Sequence, residues 1–167
     1  MKYTSKLVEH TVNHLSSLPG IGKRTALRLV LHILRRDTNN VEEFGKSFIN
    51  LINNIKYCSE CFTISEENIC NICNDIKRDK SIICVVEDIR VMLAIENTMQ
   101  YKGVYHVLGG LISPMDGIGP DDIKAEELII KTEKKGIKEI IFALSTTMEG
   151  DTTNFYLFKR LERKNIK

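Results

Sequence analysis

The chain has 167 residues, 43% of them hydrophobic and 28% charged, with a formal net charge of +2. That length suits one ordinary domain or two small ones, and the composition supports a real core. No run approaches the roughly 18 uninterrupted apolar residues of a membrane span. Met1-Lys2-Tyr3-Thr4-Ser5 leads into a polar, amphipathic segment with no apolar leader core and no small-residue cleavage site. The expectation is a cytoplasmic protein with no membrane partner.

The charge is unevenly spread. Met1 to Arg36 holds seven basic residues (Lys2, Lys6, Lys23, Arg24, Arg28, Arg35 and Arg36) against one acid, Glu9, a net of +6. The remainder nets −4, with 17 basic and 21 acidic residues. A basic end on a near-neutral chain points to a polyanion partner, although a solvated helix face gives the same count.

In chain order, Val8, Val12, Leu15 and Leu18 recur at helical spacing and predict a first helix. Pro19-Gly20 breaks it. A second helix is predicted from about Lys23 to Arg35, apolar enough around its circumference to be well buried. A third, from about Val41 to Ile55, carries a stripe of Phe44, Phe48, Leu51, Ile52 and Ile55. A compact cysteine segment, Cys58 to Cys73, follows. The pattern then changes. Ser81 to Glu87 reads as a buried parallel strand closed by an acid. A helix is predicted from Ile89 to Tyr101, a strand over Val104–Leu108 and a Gly- and Pro-bearing loop from Gly109 to Pro120. A helix from Asp121 to Lys135, a strand over Glu139–Leu144 and a last helix from Thr152 to Lys164 complete the order. Strand–helix alternation of this kind predicts a parallel α/β sheet covered on both faces.

Cys58-x2-Cys61 and Cys70-x2-Cys73 are two pairs that can each approach one metal from a tight turn. Together they supply the tetrahedral tetrathiolate suited to Zn²⁺. All four positions are thiolates, so no coordination site stays open and the zinc is expected to be structural. The other way to use four such cysteines, two disulfides, does not suit a reducing compartment. Cys84, alone in a strand, reads as a small core residue.

Leu18-Pro19-Gly20-Ile21-Gly22-Lys23-Arg24 joins the first two helices. Gly20 and Gly22 allow a sharp turn and close approach of a partner. The amides there, with the following helix N-terminus, favour a phosphate, and Lys23 and Arg24 add charge. This looks like a helix-hairpin-helix, a module that grips the DNA backbone without reading bases. A plain helix–helix turn with two exposed bases is the alternative. A P-loop is excluded, since arginine rather than Ser or Thr follows the lysine.

Glu87, Glu149 and Asp151 stand after predicted strands, where sites in open α/β sheets lie. Three carboxylates there could hold Mg²⁺, and the pattern resembles the Toprim domain of topoisomerases and primases. Helix capping or solvent exposure is the competing explanation. A Mg²⁺-dependent nuclease or nicking enzyme built on these three acids is therefore the alternative function.

The order of the three elements, with Leu18-Pro-Gly-Ile-Gly, the four cysteines, Ile83-Cys-Val-Val-Glu87, Tyr105-His-Val-Leu-Gly-Gly110, Ser113-Pro114 and Glu149-Gly150, resembles the bacterial RecR family of recombination mediators. The resemblance spans nearly the whole chain. It implies an α+β, multi-domain protein: a helical helix-hairpin-helix region over 1–55, a four-cysteine zinc finger over 56–76 and a Toprim-like α/β domain over 80–167. It implies a non-enzymatic DNA clamp or scaffold, assembled as a homo-oligomer (dimer or tetramer ring), that loads recombinase on gapped DNA with RecO and RecF partners. By position, Gly20, Gly22, Lys23 and Arg24 would meet DNA, and Cys58, Cys61, Cys70 and Cys73 would hold zinc. Glu87, Glu149 and Asp151 would form an acidic patch for partner contact or weak metal binding. Two departures stand out. Ser145-Thr146-Thr147-Met148 occupies the place of the family's Asn-Pro, and the family pattern continues past Lys167 with a last strand and a Gly-rich segment that makes subunit contacts.

Overall fold

The computed structural model describes residues 3–133, 136–162 and 166. It divides into two compact units, Met1–Asn54 and Ile55–Lys167. No helix among the described residues is long and apolar enough to cross a membrane.

The first unit contains α1 (Lys6–Ser16), α2 (Lys23–Ile33) and α3 (Thr38–Asn54). Ser5 caps α1, its hydroxyl accepting the Val8 N–H. Val12, Ala26 and Val30 form the buried seam between α1 and α2, flanked by Val8, Leu15, Ile21 and Leu27. The expected all-round burial of the second helix is not what folds. Only Ala26 and Val30 of α2 are buried, and Leu31 and Leu34 face outward. A helical hairpin covers one stripe of each helix, so the surplus leucines stay on the surface. α3 begins three residues earlier than its periodicity suggests and has no buried residue; Phe44 and Phe48 stack edge to face at 5.0 Å on its exposed stripe.

In the second unit, β1 (Lys56–Tyr57) and β2 (Ile64–Ser65) form a short antiparallel hairpin, followed by α4 (Asn71–Asn74). A three-stranded parallel sheet follows, ordered β4-β3-β5, from β3 (Asp79–Val86), β4 (Gly103–Val107) and β5 (Glu139–Ala143). α5 (Ile89–Glu96), α6 (Ala125–Glu133) and α7 (Met148–Leu161) complete it. The last four residues of β3 are buried, as expected of a central parallel strand. Its side chains alternate between two cores. Ile83 and Val85 pack with Leu128 and Ile129 of α6 and Leu157 and Leu161 of α7. Cys84 and Val86 pack with Met92 of α5 and Tyr105 and Val107 of β4. Phe62 and Ile72 of the cysteine segment join this second core. Cys84 is thus a core residue.

Several boundaries differ from the sequence pattern. α5 stops at Glu96, where Asn97 caps it and Met99 takes a positive φ of 55°. Pro120–Asp122 is a turn of 3-10 helix rather than the start of the next helix, which begins at Ala125. α7 begins four residues before Thr152, because Thr147 caps it by accepting the Gly150 N–H at 3.2 Å. The C-terminal ends of the predicted helices at Lys135 and Lys164 fall outside the described residues. Gly103 is sterically required: a Cβ there would lie 2.3 Å from the Tyr101 hydroxyl and 2.6 Å from the Ile82 carbonyl oxygen.

Candidate metal centre and nucleic-acid interface

The β1–β2 hairpin and α4 bring the four cysteines together. The Cys58 N–H donates to the Thr63 carbonyl at 2.8 Å and the Phe62 N–H to the Cys58 carbonyl at 2.9 Å. This tight knuckle turns on Phe62, whose φ is +64°. Cys70 sits at the start of α4, its sulfur accepting the Cys73 N–H at 3.5 Å. The Cys70 N–H in turn points at Cys58 Sγ, 3.3 Å away. All four Sγ atoms lie within 4.8 Å of one another, and Cys61 and Cys70 are 3.5 Å apart. Four sulfurs about 2.3 Å from one tetrahedral zinc would be spaced by roughly 3.8 Å, so the tetrad fits the ion. All four are buried and none is in a disulfide. The close approach to Cys73, followed by burial, pushes the Cys61 thiol far up, a crowding that zinc relieves by replacing the protons. Cys58, Cys61, Cys70 and Cys73 fit a structural zinc, which would supply folding energy to a knuckle with little core of its own.

This element is docked on the sheet, which its spacing does not reveal. The Val107 N–H at the end of β4 donates to the Cys61 carbonyl at 2.9 Å. Lys131 Nζ of α6 donates to the Glu60 carbonyl at 3.1 Å. The Phe62 ring meets the buried His106 edge on at 5.3 Å and lies under Lys124 Nζ. Contacts across 46 and 71 residues leave no local trace in the sequence.

The loop between α1 and α2 is built for an open backbone. Gly20 has a φ of +80°, which glycine alone adopts without strain. Gly22 caps α2 with φ −81° and ψ 162°, angles open to any residue, and no side chain satisfies the first amides of the helix. A Cβ on Gly22 would meet nothing within 4 Å. The protein's own packing therefore does not demand glycine at this point. A bare, amide-bearing helix start with no acid in its first turn suits an anion brought close to the backbone.

Lys23 and Arg24 follow at the same helix start, both exposed. The structure adds residues that the motif did not single out. Arg24, Leu27, Arg28, Leu31, His32 and Arg35 line a groove of about 400 Å³ along α2. Arg24 and Arg28 fall within roughly 40° of arc and about 6 Å of rise, and Arg35 follows in the turn just past the helix end. None of Lys23, Arg24, Arg28 and Arg35 takes part in an ion pair among the described residues. The i, i+4 spacing of Arg24 and Arg28 was the signal in the sequence that could have found this pair.

Glu87 is half-buried at the end of β3, where its carbonyl accepts the Gly109 N–H at 2.9 Å. Glu149 and Asp151 lie in the first turn of α7, where the helix dipole favours acids. Among the described residues the cysteine tetrad is the group of three or more potential ligands at metal-binding spacing; Glu87, Glu149 and Asp151 do not make a second. The Glu149–Gly150 pair has a steric reason. A Cβ on Gly150 would lie 1.9 Å from the Ser145 carbonyl oxygen, so α7 starts in contact with the preceding backbone.

Three family patterns match consecutive parts of the chain: a RecR helix-hairpin-helix over residues 8–51, a RecR four-cysteine zinc finger domain over 55–75 and a Toprim domain over 81–167. The chain is 55% identical over 166 residues to the recombination protein RecR of Bacteroides thetaiotaomicron, covering 99% of this chain and 81% of that one. It is 51% identical to the recombination protein RecR of Porphyromonas gingivalis, over 99% of this chain and 80% of that one. With the recombination protein RecR of Amoebophilus asiaticus the identity is 52%, over 100% and 84%. With the helical hairpin, the four-cysteine knuckle and the parallel α/β sheet in the same order, the chain belongs to the RecR family of recombination proteins.

Proposed function

We propose that this chain is a non-catalytic, cytoplasmic DNA-binding scaffold of recombination and repair that grips the phosphate backbone through Gly20, Gly22, Lys23 and Arg24, extended by Arg28 and Arg35. The observation that carries this reading is the uncapped start of α2, open in front of Gly22 and continued by arginines that form no ion pair among the described residues. Such a surface meets phosphates rather than base edges, so binding is insensitive to sequence and steeply dependent on salt. The family resemblance extends the reading to a homo-oligomeric clamp, a dimer or tetramer ring, that loads recombinase on gapped DNA with RecO- and RecF-like partners. On that reading Glu87, Glu149 and Asp151 serve partner contact or weak Mg²⁺ binding.

One gel experiment tests the proposal. The protein is incubated with end-labelled gapped duplex and Mg²⁺, and each sample is run on native and denaturing gels. A shifted native band with intact strands is expected. Replacing Lys23 and Arg24 together by alanine should weaken binding to all sequences alike and lower the salt slope by about 2, since each side chain neutralises one phosphate. Unchanged affinity in that double variant removes the hairpin from the reading. Shortened strands that disappear in Glu149→Gln make the protein a Mg²⁺-dependent nuclease instead.

A further inference from the structure

The two histidines of α1 stand apart from everything described so far. His10 and His14 are one helical turn apart, both exposed, with their Nε2 atoms 3.2 Å from each other and the rings edge to face at 78°. They lie about 160° around the helix from Val12, the residue of α1 buried against α2. The α1–α2 seam therefore leaves them uncovered, and neither takes part in an ion pair among the described residues.

We propose that His10 and His14 form a second metal site, an exposed bis-imidazole chelate for a divalent transition-metal ion, distinct from the four-cysteine centre. Two nitrogens 3.2 Å apart, each about 2.05 Å from one ion, subtend roughly 100° at it, between the square and tetrahedral values. The metal-free contact is a hydrogen bond in which one Nε2 carries the proton; moving that proton to Nδ1 of the same ring frees both Nε2 lone pairs for the ion. Paired histidines at i and i+4 are the way a single helix face presents two imidazoles to one metal. Imidazole selects zinc, nickel and copper over magnesium and calcium. Two neutral nitrogens hold an ion less tightly than four thiolates, so the site fills only after the cysteine centre. With only two protein ligands, the remaining positions stay open to water or an outside oxygen.

The test uses the full chain already loaded with one zinc, titrated with Ni²⁺ by calorimetry while zinc release is followed with a colorimetric chelator. One nickel equivalent should bind with the zinc retained, and the imidazole proton resonances of His10 and His14 should broaden first. Binding should be lost in His10→Ala and in His14→Ala. The exchange Lys6→His with His10→Lys keeps composition and charge but places the imidazoles eight residues, about 12 Å of helix rise, apart; it should lose the binding too. Helical circular dichroism and zinc content should be unchanged in all three, since the altered side chains are exposed. The proposal is overturned if the parent binds no second metal, if nickel survives in the exchange variant, or if the broadened resonances belong to other residues.

Discussion

The hydroxyl of Thr153 accepts the Ile112 N–H at 2.9 Å and donates to the Glu149 carbonyl at 2.7 Å. One fully buried oxygen thus ties the Gly109–Pro120 loop to the first turn of α7. Thr153→Val keeps the shape but leaves the Ile112 N–H without a partner. The expected loss is about 1–3 kcal/mol, with Thr153→Ser retaining most of the stability. Urea denaturation of the three proteins measures it, and equal midpoints for Val and Thr would mean that the hydroxyl carries nothing.

Gly150 should be the least tolerant position in the same turn. A methyl group there meets the Ser145 backbone rather than a flexible side chain. Gly150→Ala should therefore cost about 2 kcal/mol or more, despite alanine's better helix propensity. A thermal melt that rises in this variant would show that the loop before α7 yields freely.

Zinc loss should be felt beyond the knuckle. The Cys61 carbonyl receives the Val107 N–H, and Phe62 packs into the sheet's second core. Cys61→Ser should release the metal, loosen this docking and lower the melting temperature of the second unit, since metal-binding energy there is folding energy. Zinc content and a melt with and without chelator check both parts. Stoichiometric zinc retained by the variant would refute the tetrathiolate.

How much of this is legible in the chain follows the range of each interaction. The cysteine pairs and the hairpin glycines are local patterns, and the structure gathers those cysteines into one buried cluster. The succession of strands and helices along the second unit follows from the alternation of apolar runs. Two kinds of feature escape. The helix starts at Ala125 and Met148 differ from the periodicity because a proline turn and the Thr147 cap precede them. The docking of the knuckle through Val107, Lys131 and His106 escapes because its partners are far apart in the chain. Burial of the second helix is overestimated because periodicity counts apolar residues but not the surfaces available to cover them.

Gly22 separates stability from binding. Serine is a better N-cap than glycine, so Gly22→Ser should hold the helix as well or raise its stability by a few tenths of a kcal/mol. The same side chain occupies the open space in front of the α2 amides and takes one of them for itself. DNA affinity should fall while the melting temperature holds or rises. A gel-shift titration beside a thermal melt reads both, and unchanged affinity would mean that DNA does not approach this backbone.

His106 should give the fold a titration of its own. It is fully buried in β4, its Nε2–H donates to the Lys124 carbonyl at 2.6 Å, and its Nδ1 has no hydrogen-bond partner among the described residues. Burial pushes its pKa down to about 4; the Lys124 carbonyl opposes this shift and nearby Lys131 adds to it. The folded chain therefore keeps the ring neutral where the unfolded chain, near 6.5, takes up a proton. The unfolded state binds more protons in that interval, so stability is full above about pH 6.5 and falls as the pH drops toward about 4. The whole fall amounts to up to about 3 kcal/mol. His106→Gln can still donate to the Lys124 carbonyl but cannot titrate. Urea midpoints of the zinc-loaded parent and variant, compared from about pH 7 to about pH 4.5, should converge as the pH falls or cross over. Parallel curves would mean that the ring is protonated as readily in the fold as outside it.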